Sequence, residues 1–356
     1  MIVVCDINEV WRKKPFAALA EKKEVLGVSP ADWFVARRRG NLPALEGAMH
    51  LFPVVLPPSW ASRLSGIGQR LLWKKIVQKC KSMNQSIDAL IVTSPHYLPM
   101  LSMIPSDLKT IYYSSDDYRN YEGWGTVAAM EKELVERVDH SFFVSAGLMQ
   151  RAIEEYGVDP TRVSVSMNAT EKRFFPTSGT LPGTPPEQGL KRPIVGVVGG
   201  INDRLDFNIL KRCAELPGLG TLALVGPLPA EPSAELQALL EHPKCKAVGR
   251  QPHDTIHQWF QCLDVGLIPY VASEFNRMCS PMRLFDHLAS GSPVVATTAC
   301  DQCGAYGDRV SVCEDAQSFS EAVLMRIGDR FDRCEGITWN DRASEMITVM
   351  EELNIA

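Results

Sequence analysis

Between residues 193 and 327, short apolar segments alternate with stretches of helical periodicity, a pattern that few folds accommodate. The apolar segments are bounded by Gly or Pro and are typical of buried strands. They cover 193–199, 221–226, 246–249, 264–270 and 293–297. Ser233 and Pro281 stand where helices commonly begin. Strands that alternate with helices predict right-handed crossovers and a parallel, doubly wound sheet.

The first half of the chain shows the same alternation less regularly. Its strand candidates are 2–6, 33–38, 51–56, 89–93, 110–114, 141–144 and 163–166, and its helical stretches lie near 66–83, 127–138 and 147–156. Residues 176–193 are rich in Pro, Gly and Thr without periodicity, which is typical of a linker.

These patterns predict two α/β domains that face each other across a cleft at the carboxyl ends of their strands. The first domain spans 1–175, the linker 176–193 and the second domain 194–335. We expect a C-terminal helix within 336–356 to pack back on the first domain.

Length and composition exclude several other classes of protein. The 356 residues exceed what one hydrophobic core commonly serves, and 45% hydrophobic with 22% charged residues are globular values. No run of about 18 apolar residues predicts a membrane span, and the first residues lack the pattern of a secretory leader. Ten scattered cysteines fit a reducing compartment, so we expect a cytoplasmic protein.

Charge is distributed unevenly along the chain. The first 100 residues hold 14 Lys and Arg against 7 Asp and Glu, whereas the remainder holds 23 against 35. A basic amphipathic helix within 60–81 predicts peripheral association with an anionic membrane surface, on the inner face of the cell membrane. The alternative is an ordinary helix with a buried apolar stripe and a solvated charged face. Nucleic acid is not an expected partner, because the chain is acidic overall and carries no recognised module.

Two glycines follow the strand candidate at 193–199. Gly199 and Gly200 stand at the turn into the next helix, where glycine lets the backbone approach a ligand and the helix N-terminus attracts phosphate. The segment lacks the G-x-G-x-x-G pattern of dinucleotide-binding folds, so a tight strand-to-helix turn is an equal alternative.

A second candidate site follows the strand candidate at 264–270. Pro281 predicts the start of a helix and Gly291 its end. Arg283 lies in the first turn, and Asp286 lies three residues later on the same side. A cation at a helix N-terminus suits a diphosphate, and a carboxylate one turn on can accept hydrogen bonds from ribose hydroxyls. The alternative is an Arg–Asp pair on a solvent-exposed face.

The segment Ser-Pro-Met-Arg-Leu-Phe-Asp-His-Leu-Ala-Ser-Gly-Ser-Pro-Val-Val at 280–295 resembles the nucleotide-sugar motif of family-4-like glycosyltransferases with the GT-B fold. The segments 193–200, 224–227, 248–250 and 264–270 follow in the order of that family, as do 112–118, 139–145 and 167–174. The likeness covers most of residues 85–300. One acid of the family's pair is absent, since Met278 takes its place, and Arg283 stands where lysine is common.

At these positions the sequence is more similar to an inverting glucuronosyltransferase of xanthan assembly, which has a similar loop and a similar helix start. The resemblance implies a nucleotide-sugar site, no cofactor and no metal. The residues of that site would be Gly199, Gly200, Ile201, Arg250, Tyr270, Ser280, Met282, Arg283 and Asp286. The same resemblance implies that Asp116 activates the acceptor.

Sugar transfer with inversion needs a base beside the acceptor hydroxyl. Asp116 and Asp117 follow the strand candidate at 110–114, and adjacent carboxylates alternate, so we expect one of them to face a substrate. His96 also ends a strand candidate and is predicted to contact the sugar or the acceptor. The alternatives are a capping Asp–Asp turn and a capping or surface histidine.

The sequence therefore predicts a metal-independent, hexosyltransferase-type enzyme. It would move a sugar from a nucleotide donor, expected to be UDP-linked, to a glycan or lipid-linked acceptor in cell-surface polysaccharide assembly. Two alternatives stay open. One is a non-catalytic glycan-assembly binding protein of the same fold, and the other is an NAD-dependent oxidoreductase.

Overall fold

The computed structural model describes residues 1–39, 45–62, 65–120, 126–176, 183–187, 189–332 and 334–355. The chain divides into two compact units. Unit 1 comprises Met1–Asn168 and Trp339–Ala356, and unit 2 comprises Ala169–Thr338. The predicted linker thus falls inside unit 2, and its residues 177–182 and 188 lie outside the described residues. None of the helices in the described ranges is long and apolar enough to cross a bilayer.

Unit 1 is built on an eight-stranded sheet. Its strands are β1 (Ile2–Cys5), β2 (Val25–Asp32), β3 (Leu45–Glu46), β4 (Met49–Leu56), β5 (Ala89–Val92), β6 (Lys109–Ser114), β7 (His140–Phe143) and β8 (Val163–Val165). Its helices are α1 (Val10–Ala20), α2 (Trp33–Arg39), α3 (Ser65–Ser82), α4 (Val127–Arg137), α5 (Ala146–Tyr156) and the C-terminal α12 (Trp339–Glu352). The strand order is β3-β4-β2-β1-β5-β6-β7-β8, and every pair is parallel except β3 with β4.

The ends of these elements follow from their residues. Ser145 caps α5, because its side chain accepts a hydrogen bond from the N–H of Leu148 at 3.2 Å. Gly157 ends the same helix in the left-handed conformation, with φ of 72°. The C-terminal helix α12 packs against α1, and the side chain of Asn340 donates to Glu21 at 2.9 Å.

Unit 2 is built on a six-stranded, wholly parallel sheet. Its strands are β9 (Ile194–Val198), β10 (Thr221–Val225), β11 (Cys245–Gly249), β12 (Val265–Ile268), β13 (Val294–Thr297) and β14 (Val310–Cys313). Its helices are α6 (Phe207–Glu215), α7 (Ala234–Leu240), α8 (Ile256–Cys262), α9 (Glu274–Met278), α10 (Met282–Ser290) and α11 (Ala316–Arg326). The strand order is β11-β10-β9-β12-β13-β14. The prediction of doubly wound α/β architecture is confirmed in both units.

Several predicted boundaries in unit 2 are confirmed. Ser233 caps α7 by accepting from the N–H of Leu236 at 3.3 Å. Pro281 immediately precedes α10, and Gly291 ends that helix in the left-handed conformation. Gly266 in β12 has no room for a side chain, since a Cβ there would lie 2.4 Å from the ring of His287.

The prediction of a strand at 33–38 is wrong, because these residues form α2. The adjacent strand β2 and the helix α1 were not predicted, since Pro30 and Pro15 interrupt their patterns. Pro30 is tolerated because β1 pairs with β2 only as far as Val28, so no N–H is needed toward β1 at that point. With β2 ending at Asp32, the aromatic and valine residues that resembled a strand start a helix instead.

Candidate functional site

The sheet of unit 2 has one point at which its strand order reverses. The strands β10 and β11 lie on one side of β9, and the next strand in the chain, β12, lies on its other side. Parallel sheets bind ligands in the crevice outside the carboxyl ends of the two strands at such a point. Gly199, Gly200 and Ile201 directly follow β9, and Tyr270 follows β12. The structure therefore gathers four predicted residues at this switch point.

The turn after β9 lies against the turn after β10. The N–H of Gly199 donates to the carbonyl of Val225 at 2.8 Å, and the N–H of Ile201 donates to that of Pro227 at 3.1 Å. Gly226 has φ of 155°, and a Cβ on it would lie 1.8 Å from the carbonyl oxygen of Gly199. Only glycine fits there. Ile201 is buried, and its place in the nucleotide-sugar site stays a prediction.

Arg283 links the glycine turn to Tyr270. Its Nη2 donates to the carbonyl of Gly200 at 3.1 Å, and its Cζ lies 5.6 Å from the centroid of the Tyr270 ring. Its Nη1 is buried and has no hydrogen-bond partner among the described residues. Arg283 stands in the first turn of α10, where Pro281 provides no capping side chain. An unpaired guanidinium N–H at a helix N-terminus is suited to a phosphate oxygen.

Two residues that the sequence did not single out complete this cluster. The Cζ of Arg204 lies 4.9 Å from the centroid of Tyr270, and its Nε donates to Oδ1 of Asn276 at 2.8 Å. Tyr270 is buried, which raises the pKa of its hydroxyl despite the two guanidinium groups. The ring therefore stays neutral. The position of Arg204 shortly after the glycine pair was the only signal that could have indicated it.

The other predicted residues of α10 are positioned by packing. Asp286 is 9% exposed, and its Oδ1 accepts a hydrogen bond from the hydroxyl of Thr170 at 2.6 Å. Ser280 is buried and Met282 is half-buried at the helix start. The structure thus places Asp286 toward Thr170 of the same unit, and its contact with a ribose stays a prediction.

Arg250 lies apart from these residues in the described contacts. It follows β11, at the same edge of the sheet but two strands away from β9. It is exposed and lines a cavity of about 500 Å³ with Gln251, Pro252, His253 and Ile256. Its role in donor binding also stays a prediction.

In unit 1, the two adjacent aspartates after β6 have different surroundings. Asp117 is buried, and both its oxygens accept hydrogen bonds from Arg151, at 2.6 and 3.0 Å. Asp116 is half-buried, and its Oδ1 accepts a hydrogen bond from the N–H of Asp117 at 3.0 Å. Asp117 is held by a structural ion pair, so Asp116 is the one of the two that remains a candidate base.

His96 is the second residue of a 3-10 helix, Pro95–Ser102, that follows β5. Its Nδ1 lies 3.3 Å from the hydroxyl of Ser94. Burial, followed by the charge of Arg12, lowers the pKa of His96, so the imidazole is neutral near pH 7. This histidine is a hydrogen-bonding group there, not a cation.

Arg12 and Asp6 form a link near His96 that the sequence did not indicate. Nη1 of Arg12 lies 3.3 Å from Oδ2 of Asp6, and its Nε donates to the hydroxyl of Ser115 at 3.2 Å. Asp6 follows β1, and Ser115 directly precedes Asp116. The guanidinium therefore ties together the ends of β1 and β6, on either side of β5.

The chain is similar in sequence to known proteins. Residues 192–329 match the family described as Glycosyl transferases group 1. A Bacillus subtilis protein, TuaH, described as a glycosyltransferase of teichuronic acid biosynthesis, is 27% identical over 171 residues. That match spans 48% of this chain and 43% of the length of TuaH, so the chain matches less than half of this curated relative.

Solved structures match over almost the whole chain. Sucrose-phosphate synthase from Thermosynechococcus elongatus superposes with a TM-score of 0.70 at 12% identity, covering 99% of this chain and 98% of that one. HepE from Anabaena, solved with UDP and glucose, gives a TM-score of 0.66 at 14% identity, covering 99% and 97%. WaaG, a glycosyltransferase involved in lipopolysaccharide biosynthesis, gives 0.61 at 13% identity, covering 100% and 97%.

The two Rossmann-like units and these neighbours define a protein of the GT-B fold. More particularly, the match to group 1 glycosyl transferases lies within unit 2 and includes β9, α10 and the residues between them.

Proposed function

We propose that the protein transfers a glycosyl group from a UDP-sugar to a glycan or lipid-linked acceptor in cell-surface polysaccharide assembly. The observation that carries this proposal is the buried, unpaired Nη1 of Arg283 at the switch point of unit 2. The match of residues 192–329 to group 1 glycosyl transferases supports the reaction class. TuaH, described as acting in teichuronic acid biosynthesis, and HepE, solved with UDP and glucose, support the pathway class and the donor.

The donor would bind with its diphosphate at the start of α10. Arg283 and the helix N-terminus would bind the phosphate oxygens, whose negative charge increases as the bond between the anomeric carbon and the phosphate oxygen breaks. Unit 2 is acidic overall, so the phosphates depend on these local donors and not on a general positive field.

The acceptor would be activated from unit 1. In a direct displacement, the acceptor oxygen forms a bond to the anomeric carbon, UDP leaves as the anion, and the hydroxyl proton passes to Asp116. His96 would contact the sugar or the acceptor as a neutral hydrogen-bonding group. The expectation that no metal takes part stays a prediction, which unchanged turnover in excess EDTA would support.

One experiment separates this proposal from its alternatives. Thermal unfolding is measured with a panel of nucleotide sugars, UDP, NAD and NADH, and release of UDP is then measured for each sugar that stabilises the protein. Stabilisation by UDP-sugars with UDP release supports the transferase. Stabilisation by UDP-sugars without hydrolysis or transfer indicates a non-catalytic binding protein. Stabilisation by NAD or NADH alone overturns the proposal in favour of an oxidoreductase.

We also propose that unit 1 contacts an anionic membrane surface through α3. Its residues Ile67 and Leu71 are exposed, at 63% and 39%, whereas the alternative of an ordinary amphipathic helix expects them to be buried. Leu72 and Ile76 provide the buried side of the helix. Exposed Arg70, Lys74 and Lys75 share α3 with the two exposed apolar residues. Arg63 of the predicted basic segment lies outside the described residues.

Sedimentation with phosphatidylcholine vesicles, with and without phosphatidylglycerol, tests this contact. Replacing Ile67 and Leu71 by serine should weaken binding to the anionic vesicles at least about tenfold, because burial of each side chain contributes free energy. Met325→Ser in unit 2 is the control, since Met325 is 74% exposed. The exposed Trp33 and Phe34 of α2 provide a second double serine variant. If the Ile67 and Leu71 variant sediments like the unaltered protein, the proposed contact through α3 is wrong, whatever the α2 variant does.

A further inference from the structure

Unit 1 has a switch point of its own, which contains a cavity. The order β4-β2-β1-β5-β6 reverses between β1 and β5. A cavity of about 540 Å³ lies there, lined by residues that follow both strands, among them Asp6 after β1 and Ser94 and His96 after β5. This is the usual position of a ligand in a doubly wound sheet, and the volume is that of a small-molecule site.

Two buried polar atoms of the cavity lining lack partners. The amide of Gln69, on α3, is completely buried. Its Nε2 donates to the carbonyl of His96, which fixes the amide orientation and leaves Oε1 as an acceptor. That oxygen and the indole Nε1 of Trp11 have no hydrogen-bond partner among the described residues. Buried polar groups are rarely left unpaired in folded proteins, so a bound molecule should supply both a donor and an acceptor.

Three aromatic residues contribute to the walls of the cavity. The rings of Trp60 and Tyr97 lie 6.2 Å apart, and both residues line the cavity together with Trp11. A pyranose ring offers apolar C–H faces to such walls and hydroxyl groups at its edge. Each hydroxyl can donate and accept a hydrogen bond, which matches the unpaired N–H of Trp11 and the unpaired oxygen of Gln69.

The charges of the lining favour an uncharged ligand. Asp6 is paired with Arg12, Glu9 adds a second carboxylate, and the lowered pKa of His96 keeps its ring neutral. Two carboxylates against one guanidinium repel a phosphate or a uronate. The basic character of the first 100 residues is therefore not repeated in this cavity.

We propose that this cavity binds an uncharged sugar ring of the acceptor, with Trp11 Nε1 donating to one hydroxyl and Gln69 Oε1 accepting from another. This inference rests on the proposed glycosyl transfer and specifies the part of the acceptor that unit 1 recognises. A sugar ring bound in this cavity would be near His96, which also lines it.

Binding of acceptor probes without any donor tests the proposal. Methyl glycosides of glucose, galactose, N-acetylglucosamine and rhamnose, and glucuronic acid as the charged counterpart, are titrated into the full chain with saturation-transfer NMR and tryptophan fluorescence. At least one neutral glycoside should bind and glucuronic acid should bind at least about tenfold more weakly. If no neutral glycoside binds, or if glucuronic acid binds more tightly, the proposal is overturned.

Matched variants locate the site. Gln69→Met removes the acceptor at similar size, and Gln78→Met changes an exposed glutamine of the same helix. We expect Gln69→Met to bind the glycoside at least about tenfold more weakly and Gln78→Met to bind it with unchanged affinity. The affinity for UDP should be unchanged in both variants. Trp11→Phe, which removes the N–H, provides the same test if Gln69→Met does not fold. Unchanged glycoside binding in the folded variants contradicts the assignment of the cavity. If the unaltered protein does not bind UDP, that result contradicts the proposed function instead.

Discussion

Asp117 and Arg151 form a buried, two-pronged ion pair, with the guanidinium nitrogens 2.6 and 3.0 Å from the two carboxylate oxygens. Asn120 donates a further hydrogen bond to Asp117 at 2.7 Å. The carboxylate of Asp117 is thus fully used in holding β6 to α5. Its neighbour Asp116 is half-buried at the edge of the sheet. Two adjacent residues of the same type therefore have different surroundings, and each gives a distinct prediction.

Asp116→Asn should lower kcat at least about a hundredfold, because an amide cannot take the proton of the acceptor hydroxyl. Affinity for UDP should not change, since UDP is proposed to bind in unit 2. Release of UDP in the presence of acceptor measures the first quantity, and calorimetric titration measures the second. Turnover close to that of the unaltered enzyme would remove Asp116 as the base.

Asp117→Asn should instead destabilise the fold, by about 3–5 kcal/mol, because it leaves the guanidinium of Arg151 buried without a counter-charge. Urea unfolding followed by circular dichroism measures the change. Glu155→Gln is the control, since that carboxylate pairs with Arg119 at 2.7 Å but is 53% exposed, and exposed pairs contribute about 1 kcal/mol or less. Equal effects of the two substitutions would contradict this reading of Asp117.

Arg283→Ala should weaken the binding of UDP at least about tenfold, through loss of a charge-assisted hydrogen bond to the diphosphate. Arg283→Lys retains the charge but not the paired N–H groups of the guanidinium. Its affinity for UDP should therefore lie between those of the unaltered protein and Arg283→Ala. Arg277→Ala is the matched control, because Arg277 is a half-exposed arginine on the neighbouring helix α9. Unchanged UDP affinity in Arg283→Ala would contradict the proposed role of Arg283 in binding the diphosphate.

Gly226→Ala should reduce both stability and UDP affinity. The added Cβ would meet the carbonyl oxygen of Gly199 at 1.8 Å and push apart the two turns that shape the site. We expect a loss of more than about 2 kcal/mol in the free energy of unfolding. Gly249→Ala separates this overlap from backbone strain, because Gly249 also has positive φ, 77°, but has nothing within 4 Å of the added atom. It should cost only about 1 kcal/mol and leave UDP binding intact.

His287 should make unit 2 sensitive to acid. Burial lowers the pKa of its imidazole to about 3, with a smaller effect of Arg283. In the unfolded chain this imidazole has an ordinary pKa near 6.5. Between pH 6.5 and pH 3 it is therefore protonated in the unfolded chain but not in the folded one. Stability is therefore complete above about pH 6.5 and falls as the pH decreases toward 3, by up to about 1.4 kcal/mol per pH unit for this one group.

Urea unfolding at pH 7.5 and pH 5 measures this dependence. His287→Leu should show a smaller loss of stability between the two pH values than the unaltered protein, whatever its stability at pH 7.5. The buried His140 of unit 1, whose pKa burial lowers to about 4, supplies a comparable dependence that remains in the variant. An identical pH dependence in the two proteins would contradict the prediction for His287.

The sequence alone was sufficient for the class of fold and for the edge of the unit 2 sheet at which the candidate donor site lies. Apolar runs bounded by Gly and Pro are local signals, and a parallel α/β sheet then places the residues after each strand at one edge. Gly199, Gly200 and Tyr270 could be placed at that edge for this reason, whereas Arg283 was predicted from the helix start and from the resemblance. The strand wrongly expected at 33–38 shows the limit of local signals, because its pattern suits a strand equally well until the neighbouring β2 is known.

Only the tertiary structure decided how groups distant in sequence meet. It paired Asp117 with Arg151, which is 34 residues away in the sequence. Asp116 is therefore the candidate base of the two aspartates. The tertiary structure also placed Arg204 beside Tyr270 and brought Trp11 and Gln69 to one cavity. Hydrogen bonds and ion pairs act over a few ångströms, and which side chains come that close depends on the packing of helices and strands that periodicity does not specify. Sequence thus determined the scaffold and the edge of each sheet at which the candidate residues lie, whereas packing determined which side chains at that edge pair with one another.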